Sequence, residues 1–190
     1  MSFTLDYNEP IPKVVERLNS EHKELEQKLS KIEEASKSGD VKVAMSLLND
    51  ISTQILRHAV EEEARLMRVI MWEFKQQSEP SISTMRQHVD ITNFLKHRLP
   101  NLTTLPDSVA RREMRIFVDD LRKHHAEEER TVFPLALEAD RLHEMMMDEE
   151  VRKHFDMKYS DNRCPFCGSR IDPLGLCACG AATRTPESRY

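Results

Sequence analysis

Four long stretches of this chain place apolar residues three and four apart, the spacing of one helix face, and each stripe is broken near its middle by histidine or glutamate. The first reads Leu18, His22, Leu25, Leu29, Ile32, and the second Ile51, Ile55, His58, Glu62, Leu66, Val69. The third is Met85, His88, Ile91, Leu95, and the fourth Phe117, Leu121, His124, Glu128, Val132, Leu135. Four amphipathic helices predict an all-α fold, an up-down-up-down four-helix bundle. The interruptions would then meet at one level of its core. A buried hydroxyl or amide without a partner costs a few kcal/mol, and an isolated carboxylate far more. Four imidazoles and two carboxylates facing one another therefore need a cation to organise them.

Metal ions meet that need directly, with neutral imidazole and carboxylate as ligands. In His58/Glu62 and His124/Glu128 the i, i+4 spacing puts both members on one face, one turn apart. Each such helix offers a histidine to one ion and a glutamate able to bridge to a second, while His22 and His88 add further terminal ligands. Six residues are too many for one tetrahedral zinc and suit two ions that prefer octahedral surroundings. His124 is preferred to its neighbour because it continues the stripe of Phe117, Leu121 and Glu128, whereas His125 points about 100° away. That leaves His125 and Glu129 as groups that support the ligands. His97, turned about 180° from His88, is expected at the surface.

Local signals set the element boundaries. Pro10 and Pro12 open the first helix and Gly39 ends it. Asp40 is placed to cap a second helix over about 40–77, and Ser78–Ser81 breaks the chain before a third that runs to about Leu99. A loop, Asn101–Leu105, lies between Pro100 and Pro106. Asp107 or Ser108 caps the fourth helix, which Pro134 should bend or divide. The expected organisation is a bundle over 10–140, a helical linker over 141–160, a metal ribbon over 161–182 and a polar tail over 183–190.

With these elements in place, the chain resembles the hemerythrin/HHE cation-binding family. The resemblance rests on Glu21-His22, on His58–Glu62 continuing as EARLM, on Gln87-His88, and on HHAEEERTVFP at His124–Pro134. It covers roughly residues 10–140 and implies two non-haem irons bridged by Glu62 and Glu128; zinc or manganese would suit the same donors. Two positions depart from the family's oxygen carriers. Thr92 stands where they have a second histidine on the third helix, and the last motif is H-x-x-x-E where they have an aspartate five residues after the histidine. The coordination left open fits sensing of O2, peroxide, NO or iron status, or reaction with peroxide or NO, at least as well as stable O2 carriage. A ferritin-like centre is disfavoured because Glu-x-x-His pairs are missing: Asn19, Ile55, Met85 and Leu121 precede the four histidines by three residues.

All four cysteines fall within Cys164-Pro-Phe-Cys167-Gly and Cys177-Ala-Cys179-Gly, late in the chain. Four thiolates in paired turns read as a small zinc ribbon, with a single rubredoxin-type iron as the alternative. Such a clustering points to a reducing cytoplasm rather than a disulfide framework. The net charge of −5 argues against a general nucleic-acid binder, and no apolar run approaches membrane-spanning length. The N-terminus lacks the pattern of a secretory signal. Three function classes stay open: a binder or sensor of a small oxidant or gas; a di-iron peroxidase or NO reductase fed by the cysteine centre; and an interaction protein docking on a protein or ribonucleoprotein through its ribbon.

Overall fold

The computed structural model describes residues 5–74 and 79–146, and the described residues are helical almost throughout. The chain divides into two compact units, 1–141 and 142–190. The ribbon cysteines, the tail and most of the expected linker lie outside the described residues.

Helix α1 (Ile11–Ser38) starts after Pro10, with Pro12 in its first turn, where an absent N–H breaks no helical bond. It ends at Gly39, whose φ of +96° suits a residue without Cβ. The Asp40 N–H then donates to the Ala35 carbonyl at 2.9 Å, closing the end of the helix. Asp40 precedes α2 (Val41–Glu62) as expected, but its side chain makes no capping bond and instead accepts from Ser38 Oγ at 3.3 Å. The reversal at Gly39–Asp40 lays α2 antiparallel on α1. Arg17 meets Glu61, His22 meets His58 and Lys28 meets Gln54 along their length.

The second rod continues through a π turn (Glu63–Met67) into α3 (Arg68–Phe74). Helix α4 (Glu79–Asn93) begins earlier than the sequence suggests, with Pro80 inside its first turn and Ser81 buried. A π turn (Phe94–Arg98) and a 3-10 turn (Leu99–Thr104) follow it, so Asn101–Thr104 of the segment expected as a loop is helical, with Leu102 buried as is Leu99 before it. Helix α5 (Asp107–Glu127) has Pro106, not Asp107 or Ser108, at its N-cap position; the Pro106 carbonyl accepts from the Val109 and Ala110 N–H groups. A third π turn (Glu128–Val132) separates α5 from α6 (Phe133–Met146), so the division expected at Pro134 falls just ahead of it. Gln87–Glu127 and Arg98–Glu113 contacts show α4 and α5 antiparallel, and His22–Glu129 with Glu26–Arg122 does the same for α1 and the last rod.

The π turns explain where the sequence stripes slip. His58, Glu62, Leu66 and Ile70 are all buried at steps of four, and so are His124, Glu128, Val132 and Ala136. Twelve residues of regular helix would rotate such a series about 120° off its face. A π turn takes up one extra residue and brings the series back. Ile70 and Ala136 are therefore fully buried, while the expected Val69 and Leu135 are only half-buried. Met85 is also half-buried, with Thr84 taking the inward place.

Apolar packing forms two separate clusters. One gathers Leu25, Leu29, Leu48, Ile55, Ile91, Phe117 and Leu121 with their neighbours, including a stacked Phe94–Phe117 pair at 4.1 Å. The other gathers Val14, Leu18, Leu66, Ile70, Val132, Phe133 and Ala136. Every rod passes from one cluster to the other through its histidine. The layer between them is polar and buried.

Candidate metal centre

The structure brings all six predicted residues of the bundle together in that layer, each at most 4% exposed, with Glu62 and Glu128 fully buried. Their contacts sort into two halves. His22 Nε2 and His58 Nε2 lie 2.8 Å apart, and His58 Nε2 is 3.2 Å from Glu62 Oε1. His22 Nε2 is 3.5 Å from Glu128 Oε2. On the other side, His88 Nε2 is 3.3 Å from Glu62 Oε2 and 3.4 Å from Glu128 Oε1, and His124 Nε2 is 3.1 Å from the same Glu128 oxygen. Each carboxylate thus turns one oxygen toward His22 and His58 and the other toward His88 and His124.

The outer nitrogens of the four imidazoles are held in turn. The Nδ1–H of His22 donates to Glu129 at 3.0 Å, that of His58 to Glu21 at 3.0 Å, that of His88 to Glu63 at 2.9 Å and that of His124 to the Gln87 side-chain carbonyl at 2.7 Å. Because these acceptors carry no proton to give, Nδ1 is the protonated nitrogen and Nε2 is left to face the centre. The two Glu-Glu-Glu runs make this possible. Along 61–63 successive side chains point about 100° apart. Glu61 pairs with Arg17, Glu62 turns inward and Glu63 reaches His88. Along 127–129, Glu127 accepts from Gln87 at 3.1 Å, Glu128 turns inward and Glu129 reaches His22.

Both oxygens of Glu62, both of Glu128 and Nε2 of His88 are buried without a hydrogen-bond partner. Five such atoms within one layer would be expensive to leave unmatched, and a cation among them satisfies all five at once. Two overlapping groups have this character: His22, His58, Glu62 and Glu128, and Glu62, His88, His124 and Glu128, each with donor atoms within 4.8 Å of one another. The residues fit divalent cations that accept nitrogen and oxygen donors.

Ionisation in the layer follows from burial and mutual charge. Burial by itself would lower His58, but Glu62 and Glu21 outweigh it and push it up to about 10. Burial likewise opposes the charge on His88, and the carboxylates of Glu128, Glu62 and Glu63 raise it to about 11. Burial and the positive charge of His88 press His124 down to about 3. Glu62 is also opposed by burial, yet His58 and His88 hold it well below the usual carboxylate range. Glu128 is raised, by burial and then by the charge on Glu62.

His125, which helical phase turns off the stripe and leaves as a group supporting the ligands, also lies in the buried layer. His125 is 7% exposed, stacks on His22 with ring centroids 4.1 Å apart, and shares a donor group with His22 and His58. A stripe gives each helix one inward direction, whereas α5 packs against both α1 and α4 and so buries a wider arc. The adjacency of two histidines was the only signal in the sequence. Glu129 takes the supporting place expected of it, and His97 is exposed as expected. Glu21, Glu63 and Gln87 stand in the quoted motifs, but their hydrogen bonds cross between helices and are visible only in the fold.

No curated protein and no solved structure matches the chain. The family described as "Hemerythrin HHE cation binding domain" matches residues 13–136, the span that contains every residue of this buried layer. That span is well over half of the chain, and the histidine-glutamate layer of the bundle is accordingly that of a member of the hemerythrin HHE cation-binding family.

Proposed function

We propose that the bundle holds two metal ions, His22 and His58 binding one, His88 and His124 the other, with Glu62 and Glu128 bridging them. The observation that carries this reading is the division of each buried carboxylate between the two imidazole pairs, with Nδ1 of all four rings occupied from outside. Iron is the proposed metal, and zinc or manganese fits the same donors. Bound iron would supply redox chemistry and a coordination position for a small ligand. Two nitrogens and two carboxylate oxygens per ion fall short of the roughly six ligands such ions prefer, which leaves room for O2, peroxide or NO. The protein's part is to fix the imidazoles from behind, to supply neutralising charge through the two glutamates, and to exclude water with an apolar cluster on either side. The function proposed is binding or sensing of a small oxidant, NO or iron status.

The second reading rests on the cysteine cluster at Cys164, Cys167, Cys177 and Cys179, outside the described residues. As a zinc ribbon it would dock on a protein or ribonucleoprotein; as a mononuclear iron site it would deliver electrons to the bundle, making the chain a peroxidase or NO reductase. The domain plan, a bundle over 10–140 with this ribbon appended after a linker, is part of the same proposal, as is a cytoplasmic setting.

Metal content and the optical spectrum of anaerobically purified protein, before and after peroxide, test both. Two irons in the bundle with a peroxide-sensitive spectrum are expected, and sulfur-to-iron bands that bleach on reduction would favour electron delivery. A protein expressed with iron supplied yet purified without any would sink the iron reading. Replacing His58 and Glu62 together by alanine should lower metal content, and an unchanged stoichiometry would remove the centre as drawn. Replacing Cys164 and Cys167 should release one ion only.

A further inference from the structure

We propose that a cleft between the last turns of α1 and the first turns of α5 is a binding site for a small organic phosphate. Higher along this seam the two helices are joined by Arg122, which reaches Glu26 at 2.8 Å and Glu33 at 3.0 Å. Beyond that clasp a cleft of about 430 Å³ opens. Small-molecule sites occupy roughly 300–1,000 Å³, so a compact organic anion fits. The cleft is separate from the metal centre. From His22 to Ser36 along α1 is about 21 Å, and the apolar packing of Leu25 and Leu29 lies between.

The floor of the cleft is apolar and its walls are basic. Ile32, Met114 and Val118 form the floor. Arg111 and Arg115 stand one turn apart on the same face of α5, with Arg112 beside them. None of the three has an acidic partner among the described residues, whereas Arg17, Arg98 and Arg122 are each paired with glutamate. Asp119, on the next turn, lines the cleft without pairing to any of them. Glu33, the other acid of the walls, is held by Lys37 at 2.6 Å and by Arg122. With Glu33 and Lys37 cancelling, three guanidinium groups against Asp119 leave an excess of two positive charges.

The helix ends reinforce that sign. Ser108, in the first turn of α5, is on the wall, where the helix dipole favours an anion. The opposing end of α1 is muted, because its Ala35 and Ser36 carbonyls accept the N–H groups of Asp40 and Gly39. A phosphate monoester carries about −1.5 to −2 at neutral pH and matches the excess better than a single carboxylate does. Guanidinium forks bind its oxygens in pairs. The apolar floor beneath them suits an organic body on the phosphate.

Calorimetric titration of the full chain with 1-naphthyl phosphate tests the site. Saturable binding is expected, weakened by about tenfold or more in Arg111→Gln/Arg115→Gln. Unchanged affinity in that variant would put the phosphate elsewhere, such as on the metal ions, and overturn the site. Asp119→Asn removes the opposing charge and should tighten binding by about two- to threefold, which a merely structural lesion would not do. Should the arginine variant fail to fold, this response decides, and an unchanged or weakened affinity overturns the proposal. Inorganic phosphate should bind about tenfold or more weakly than 1-naphthyl phosphate; equal affinities would overturn the organic body. No binding of 1-naphthyl phosphate, with the chain retained on phosphatidylglycerol vesicles, would make the arginines a membrane-facing patch and overturn the small-molecule site.

Discussion

The four imidazoles of the bundle are aimed by hydrogen bonds behind them, and each of those bonds has a consequence for metal affinity. Glu63 touches only the outer nitrogen of His88 and is nearly half exposed, so Glu63→Ala should leave the fold intact while freeing the ring to turn. Loss of such a support lowers metal affinity by about 10- to 100-fold. Competition with a chromophoric chelator measures it, and an unchanged affinity would mean that packing alone holds the ring. Proton competition gives a second expectation. In the metal-free protein His58 is raised to about 10 and His88 to about 11, both above the ordinary 6.5. The stability these pairings give the metal-free protein is fully present below 6.5 and lost as pH rises through 10 to 11. Binding an ion at neutral pH must displace both protons, so metal affinity should rise with pH across the neutral range, by up to about tenfold per unit for each proton released. Proton release in a weakly buffered titration checks the number, and a pH-independent affinity would contradict the protonated pair.

The helices themselves contain a test of the π turns. Within Glu63–Met67 one extra residue is accommodated while the buried face on either side is kept. Deleting Ala64 should turn this stretch into regular helix and leave Leu66, Ile70 and their neighbours facing the core. Deleting Ser52, inside regular α2, should instead rotate everything beyond it by about 100° relative to what precedes it. The first variant is expected to unfold cooperatively with its helix content retained. The second should lose several buried large side chains, each worth about 2–5 kcal/mol, and fail to fold cooperatively. Circular dichroism on heating distinguishes them; equal damage from both deletions would show that the π turn is not a simple insertion. Two of the three π turns begin at the centre, one just after Glu62 and one at Glu128.

For the whole bundle, the buried polar layer divides the core in two and makes stability depend on what fills it. Ions that bind only the folded state add about 2.7 kcal/mol for each site at a hundredfold excess over the dissociation constant. Spread over a bundle of this length, where about 1 kcal/mol moves the midpoint by 2–4 °C, two sites should raise the melting temperature by roughly 10–20 °C. Chelation followed by thermal denaturation measures the difference. An identical midpoint with and without metal would mean that the imidazole–carboxylate pairs already satisfy the layer.

Helical periodicity, with the family resemblance beside it, points to the bundle and to a polar layer holding Glu62, Glu128, His22, His58, His88 and His124, and the structure brings those six together. A regular helix repeats its facing every few residues, so a polar residue on an apolar stripe can only point inward. The same rule failed where the backbone left the regular helix. Hydrogen bonds from i to i+5 are not written into hydrophobic spacing, which is why the stripe was read one residue early at Val69 and Leu135. Periodicity also assigns one inward direction to each helix and so leaves His125 a supporting group off the stripe, whereas in the fold it faces α1 while His124 faces α4. The pairing of each Nδ1 with Glu21, Glu63, Gln87 or Glu129 belongs to the tertiary structure, because all four bonds cross from one helical rod to another and depend on how those rods are turned against one another.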